Sequence, residues 1–264
     1  MNETGNNPYS PPAAVVEDAS YDNDEGTFIP GGRSVPAGNG AGWLAGGWEQ
    51  FTQQPWRWIG LTLLFVVLYL VTIIPYVKFA MYVVMPVITG GIVLACDRQR
   101  STGKLKIGDL FSGFQNRTGP LLTVGALYVG LMILALIPVV LVVGLNVVVA
   151  AMSGSPHPGA GMVMPGIASI LIGGGISFVL YIMLCMAMWF APALVVLQEM
   201  SAAHAMKTSF AGCAKNILPG LIYVLVLIAA AIVATIPIGL GWFALVPTMF
   251  ASVYAAYRDV YIAH

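Results

Sequence analysis

Charged side chains are scarce in this sequence. They make up 8% of the 264 residues, against roughly 25% in an ordinary soluble domain, while 58% of the residues are hydrophobic. A chain with so few charges cannot cover a large water-exposed surface. Eleven basic residues balance eleven acidic ones, and this zero net charge disfavours a nucleic-acid partner.

Motifs of common catalytic and metal centres are also missing. No serine stands in a Gly-x-Ser-x-Gly frame, and the three histidines have no carboxylate at a suggestive spacing. The three cysteines form no Cys-x-x-Cys pair, so neither a disulfide framework nor a zinc site is indicated. We therefore predict a protein that is not an enzyme and has no cofactor.

Long apolar runs dominate the rest of the chain. Each has about the length of roughly 20 residues that a helix needs to cross a bilayer. They predict an all-α polytopic membrane protein with six transmembrane helices, arranged as three hairpins. The runs occupy approximately residues 56–74, 79–96, 120–145, 166–191, 218–236 and 240–257.

The first 40 residues have a different composition. They are rich in Asn, Pro, Gly, Ser and acidic residues, and a segment with so few large apolar side chains cannot offset the entropy cost of ordering. We predict a disordered, acidic cytoplasmic tail over residues 1–40. Residues 41–264 then form the transmembrane domain.

The basic residues predict the orientation, because lysine and arginine collect on the cytoplasmic side of a membrane protein. With six spans, ten of the eleven basic residues fall on one side, and only Lys78 falls on the other. An odd number of spans would spoil this partition. We therefore expect both termini to be cytoplasmic.

An apolar stripe at helical spacing precedes each odd-numbered span and ends near a proline. Such stripes predict short amphipathic helices in the cytoplasmic interface, and hence three repeated units of one interfacial helix and one hairpin. The alternative is that these segments are ordinary amphipathic linkers of a six-span protein. The stripes consist of Leu44, Trp48 and Phe51, then Ile107, Leu110, Phe111 and Phe114, then Met206, Phe210, Cys213 and Ile217.

Four short segments resemble a known group of proteins. They are Asn7-Pro8-Tyr9-Ser10-Pro11-Pro12, the stretch 32–38, the stretch 47–60 with Gly47-Trp48-Glu49-Gln50-Phe51, and Asp109-Leu110-Phe111-Ser112-Gly113-Phe114 before Gly119-Pro120. The chain resembles an uncharacterised family of bacterial inner-membrane proteins, loosely YciC-like and similar to the membrane domain of some glycerophosphodiester phosphodiesterases. The resemblance implies a helical fold in the bacterial cytoplasmic membrane.

The predicted spans contain no ionisable residue near their centres. Proton- and cation-coupled transporters usually place such residues at membrane depth, so the sequence disfavours classical secondary transport. Carbonyls freed at proline-broken helices can still bind ions. Ordinary kinks at these prolines are the favoured interpretation. The prolines concerned are Pro86, Pro138, Pro192 and Pro247.

Aromatic and basic residues crowd the predicted cytoplasmic interface. Amphipathic rings prefer headgroup depth, and basic side chains there attract anionic lipid. We predict a lipid-headgroup surface, with ordinary membrane anchoring as the alternative. Its predicted members are Trp48, Trp56, Arg57, Trp58, Arg98, Arg100, Lys104 and Lys106.

One loop on the opposite, predicted periplasmic side carries Met152, His157, Met162 and Met164. Thioether and imidazole groups suit monovalent copper, so this loop is a candidate metal site. The alternative is an ordinary exposed loop in a chain with thirteen methionines.

Taken together, these features predict a non-enzymatic accessory or scaffold protein of the inner membrane. Its expected partners are membrane lipids and another membrane protein, or a second copy of itself. The alternatives are a transporter or channel for a lipid or uncharged solute, and copper handling through the Met/His loop.

Overall fold

The computed structural model describes residues 26–152 and 160–263, with backbone alone for residues 75–76 and 160–166. This part of the chain is almost entirely helical, which confirms the all-α prediction. The α-helices are α1 Asn39–Gln53, α2 Pro55–Leu70, α3 Pro75–Thr102, α4 Thr118–Met152, α5 Ala160–Trp189, α6 Ala191–Leu197, α7 Ala202–Lys215, α8 Ile217–Thr235 and α9 Trp242–Tyr261. Short 3₁₀ helices cover Val71–Ile73 and Ile107–Phe114, and strands β1 Thr27–Phe28 and β2 Ile262–Ala263 complete the elements.

Five helical segments in the described ranges are long and apolar enough to cross a membrane, which identifies a multi-pass membrane protein. They contain α2, α3, α4, α5 with α6, and α8. The sixth predicted run forms α9, which has 20 residues. It falls outside this set because its second half carries Tyr254, Tyr257, Arg258 and Asp259, which lower its hydropathy.

Prolines mark the beginnings of the long helices. Pro55 is the first residue of α2, and Pro120 and Pro219 each stand at the third position of their helix, α4 and α8. Proline is tolerated in a first turn because the amide hydrogen that it lacks would have no helical partner there. The prolines that end the three stripes therefore begin or nearly begin the following long helix.

The helices predicted to kink at a proline differ in how far the proline interrupts the helix and in what forms the freed backbone hydrogen bonds. Pro86 and Pro247 lie inside α3 and α9, which continue past them. The chain breaks more fully between α5 and α6, just before Pro192. There Ser209 of α7 fills the gap: its hydroxyl donates to the Met186 carbonyl at 2.8 Å and accepts from the Phe190 amide at 2.9 Å.

The three predicted interfacial helices are all present as helices. We call α1, the 3₁₀ helix Ile107–Phe114 and α7 the collar. Each collar helix packs against two long helices. The 3₁₀ helix packs against α2 and α3, which precede it in the chain, and α7 packs against α4 and α5, which likewise precede it. α1, by contrast, packs against α8 and α9. The last of these contacts joins the first described helix of the chain to its last two helices.

Glycines allow the collar to touch the long helices backbone to backbone. A methyl group on Gly47 of α1 would overlap the carbonyl oxygen of Thr248 and lie 2.7 Å from the amide nitrogen of Ser252. A methyl group on Gly113 of the 3₁₀ helix would likewise overlap the Val87 carbonyl oxygen and approach Gly91. Thr248 and Ser252 follow Pro247 at the offsets at which Val87 and Gly91 follow Pro86, so the same contact occurs twice.

The predicted tail included residues 26–40, but the structure packs this stretch against the helices. We call residues 26–38 the strap. β1 pairs antiparallel with β2, with Thr27 opposite Ala263 and Phe28 opposite Ile262. Val35 is buried, and its amide donates to the side-chain oxygen of Asn216 at 2.8 Å. Residues 1–25 of the predicted tail lie outside the described residues.

The collar contact predicts opposite effects for two glycines of α1. Gly47→Ala forces the helices apart, and overpacking of this kind costs about 1–3 kcal/mol of folding free energy. Gly42 has no atom within 4 Å of the added methyl group, so Gly42→Ala should leave stability unchanged or raise it by up to ~1 kcal/mol. Thermal unfolding of both variants in detergent measures the difference. Equal melting temperatures would contradict the proposed close packing.

Candidate functional site

Trp58, which the sequence places at headgroup depth, is fully buried instead. Its indole nitrogen donates to the side-chain oxygen of Gln99 at 2.9 Å. Gln99 is also buried, and its amide group donates to the Gln50 carbonyl oxygen at 2.8 Å. Gln50 in turn donates to the carbonyl oxygen of Cys96 at 2.7 Å. These bonds tie α1 and α2 to α3, so Trp58 belongs to a polar contact between the collar helix α1 and the long helices.

Two arginines of the predicted headgroup surface also bind protein groups. Arg57 donates to the side-chain oxygen of Gln54 at 2.9 Å and to the Leu105 carbonyl at 3.0 Å. Arg98 forms an ion pair with Asp109, whose second oxygen accepts from the Lys106 amide at 3.0 Å. These bonds fix the loop after α3, and Asp109 is buried there. Both arginines nevertheless remain exposed at the surface.

Four more of the predicted headgroup residues are exposed like these arginines, and Arg100 is half-buried. Trp48 and Trp56 have 51% and 82% of their surface exposed, and Lys104 and Lys106 are exposed as well. Arg100 donates to the Tyr254 hydroxyl at 3.2 Å, and that hydroxyl donates to Asp97 at 2.7 Å. Of the eight predicted headgroup residues, Trp58 is therefore the one that is buried.

A polar cleft of about 430 Å³ lies beside Arg100, between α1, α3 and α9. Glu49, Gln53 and Arg258 contribute to its lining together with Asp259. The opposite charges of these side chains balance one another across the cleft. It is a mixed-charge surface next to the collar rather than a purely basic one.

Asp259 is the centre of a hydrogen-bond cluster that the sequence did not indicate. Its carboxylate accepts from the Asn39 amide group at 2.9 Å and from the Trp43 indole at 2.7 Å, and it pairs with Arg33 at 3.3 Å. Arg33 also donates to the Asp259 backbone carbonyl at 2.7 Å. The only sequence signal was that Arg258-Asp259 follows Pro247 at the offsets at which Asp97-Arg98 follows Pro86. This cluster joins the strap and α1 to the end of α9.

A second set of bonds holds the strap against the junction of α7 and α8. The Lys215 ammonium donates to the carbonyl oxygens of Gly31 and Gly32 at 3.0 and 2.8 Å. The Asn216 amide group donates to the Arg33 carbonyl at 2.8 Å. The strap is therefore fixed at two places by side chains from distant parts of the chain.

Two apolar grooves open between the long helices. The larger, about 540 Å³, lies along α4 and α5 and meets α7, with Lys207 among its lining residues. We call it the α7 groove. The smaller, about 340 Å³, lies between α5 and α8 and reaches Trp43 of α1. We call it the α8 groove. Both have the size of small-molecule sites.

Two of the three cysteines lie against an apolar groove. Cys185 and Cys213 line the α8 groove. Burial raises the pKa of the Cys213 thiol to about 12, although a hydrogen bond with Ser209 opposes the shift. A thiol with so high a pKa stays protonated at neutral pH and is a poor nucleophile.

The Met/His loop lies mostly outside the part of the chain that can be described. Met152 ends α4 and is 82% exposed, while His157 is outside the described residues and so are the side chains of Met162 and Met164. Elsewhere in the described ranges, no three His, Cys, Asp or Glu side chains come together as a metal site would require. The copper hypothesis stays a prediction.

These features define a helical, multi-pass membrane protein with a polar collar and apolar grooves. The model of a family described as a domain of unknown function, DUF7847, matches residues 114–260. This match covers more than half of the chain, and the chain belongs to that family. Neither a curated protein nor a solved structure gives a significant match. The matched region contains both walls of the α7 groove.

The Asp259 cluster predicts a stability effect. Asp259→Asn keeps the shape of the side chain but removes the charge and one acceptor, and weakening part-buried charge-assisted bonds costs about 1–3 kcal/mol. Glu199→Gln is the matched control, because Glu199 is 80% exposed and lies 4.0 Å from Arg117; its effect should stay within ~0.5 kcal/mol. Thermal unfolding and limited proteolysis of the strap measure both. Similar values for the two variants would refute a role for the cluster.

Proposed function

We propose that the protein is a non-enzymatic accessory or scaffold protein of the bacterial cytoplasmic membrane that engages membrane lipid and a second membrane protein. One observation carries the proposal: a packed collar holds apolar helices whose sides are largely uncovered. Only 6% of the most apolar stretch of α4 is buried, and 17% of that of α8, against 50% for α3. Such surfaces suit contact with lipid and with helices of another protein.

The collar supports a scaffold because it fixes the positions of the long helices at one end. The polar groups that join the collar to the long helices are paired, as in the bonds of Gln99 and Asp259, and networks of satisfied polar groups are rigid. Beyond the rigid collar, the long helices have separate faces, and grooves lie between them. A partner would therefore bind a preformed surface, and binding would not have to offset the entropy cost of ordering that surface.

We further propose six crossings, with α9 as the sixth. The pairing of β1 with β2 puts residues 27–28 beside residues 262–263, and two segments on the same side of a membrane are joined by an even number of crossings. A helix of 20 residues is about 30 Å long, which matches the hydrocarbon thickness. With the basic residues inside, both ends of the described chain are cytoplasmic.

Reporter fusions test this topology. A reporter that is active only in the cytoplasm should function when fused after residue 263 and when inserted after Lys104, but not when inserted beside Lys78. Activity of the fusion after residue 263 is the decisive result, because five crossings would place that position outside. An inactive fusion there, with the Lys104 insertion active, would overturn the six-span proposal.

The partner proposal is tested by gentle extraction of the whole protein with its native lipid, followed by mass spectrometry. We expect one membrane protein and at least one lipid species to remain at near-stoichiometric level. Deleting residues 1–25 removes six acidic side chains and spares the strap. The deletion should leave membrane insertion and lipid intact and weaken capture of the partner. The physical reason is that an acidic segment can bind a basic surface of the partner.

Two results would count against this proposal. Unchanged partner capture by the shortened protein would refute a role for residues 1–25. A protein that carries neither lipid nor partner after extraction would refute the accessory function itself.

Transport of a lipid or uncharged solute is the second candidate, and the two grooves favour it. They are lined almost entirely by apolar side chains and lie against membrane-spanning helices. Reconstitution into vesicles with fluorescent phospholipid in one leaflet distinguishes the two functions. Transfer between leaflets by the protein alone would support transport, whereas lipid binding without transfer would support the accessory function.

A further inference from the structure

The α7 groove combines an apolar channel with a single cation. α4 contributes Leu127, Leu131 and Leu134 to one wall, and α5 contributes Leu180 and Met183 to the other. Leu131 and Leu180 have 43% and 38% of their surface exposed, although both are large apolar residues. Exposure of this kind is stable when the groove opens to hydrocarbon rather than to water.

α7 forms one end of the groove. Ala203, Met206, Lys207 and Phe210 line it, and residues at this spacing lie on one face of a helix. Lys207 is the only charged residue among the lining side chains. It is exposed, and the ion pairs recorded in the described ranges do not involve it. The cation therefore stands where the apolar channel meets the collar.

The α8 groove has the same apolar character without a cation. Its lining includes Trp189, Leu221 and Tyr223, and no charged residue is among its lining side chains. It would accept a hydrocarbon chain but has no charged group to select a headgroup. The two grooves therefore differ in charge, because Lys207 lines the α7 groove and no charged side chain lines the α8 groove.

From these observations we infer that the α7 groove binds one phospholipid of the leaflet on the collar side. One acyl chain lies between α4 and α5, and the phosphate group pairs with the Lys207 ammonium. The volume of about 540 Å³ lies within the range of ordinary ligand sites, and basic side chains near a membrane surface attract anionic lipid. This inference rests on the proposed function, in which the protein engages membrane lipid, and it identifies the α7 groove as the binding site.

Lipid retention by the whole protein in native mass spectrometry tests the acyl-chain part. The probes are phosphatidylglycerol and diacylglycerol with identical acyl chains, added to delipidated protein. Leu131→Trp and, on the opposite wall, Leu180→Trp fill the groove and should lower retention of both lipids at least tenfold. Ile133→Trp is the control, because Ile133 is 58% exposed on the same helix and is not among the groove's lining residues. It should change retention less than twofold.

The headgroup part is tested with Lys207→Gln. This variant should lower retention of phosphatidylglycerol about fivefold, the effect of one basic residue near an anionic surface, and leave diacylglycerol unchanged. Lys78→Gln removes the same charge at the opposite end of the helices and should change neither. Adding inorganic phosphate should not displace the lipid, since the acyl chain supplies most of the binding.

Three outcomes would overturn the inference. The first is an equal loss for the groove variants and Ile133→Trp, and the second is an unchanged phosphatidylglycerol preference in Lys207→Gln. The third is a change in the fraction of dimer with no change in bound lipid, because a helix of a second copy would then fill the groove. Failure here is distinct from failure of the proposed function. A protein that loses this site keeps its other bound lipid and its partner if the accessory function is correct.

Discussion

The close approach of the collar to the long helices is the constraint on which the architecture depends. In a bilayer, helices gain little from hiding apolar surface, because lipid tails are as apolar as leucine. Association must come from tight packing and from hydrogen bonds. Gly47 and Gly113 let backbones touch, while Ser209 bridges the break before Pro192. With one end held in this way, the remaining length of the helices is free to face lipid.

The scarce charges have a consistent place in this arrangement. Asp109 and Asp259 bind basic groups or amide and indole donors at the collar, and Asp97 accepts from Tyr254. Lys215 holds the strap. Several of the few ionisable groups in this chain therefore join distant segments. Lys207 differs from these groups because it lines the apolar α7 groove.

Sequence patterns predicted what depends on local chemistry. Five of the six apolar runs located helices that can cross a membrane, stripes located the collar helices, and prolines marked where long helices begin. Trp58 was misplaced because the pattern shows that a ring is near the interface but not whether it points to lipid or to Gln99. The strap was missed because its polar, glycine-rich composition predicts disorder, whereas its order comes from partners such as Asp259, 226 residues away from Arg33. The grooves depend on spacing between helices, which no local pattern records.

The contact of α1 with α9 also sets an order of events during synthesis. Trp43 of α1 emerges early, and its partner Asp259 follows 216 residues later. Until then the face of α1 that binds α9 has no native partner, while the 3₁₀ helix and α7 already have theirs. Contacts so distant in sequence form late and expose their surfaces longest. The contacts of α1 with α9 are therefore the last collar contacts to form, whereas the bonds of α1 to α3 can form as soon as that helix is made.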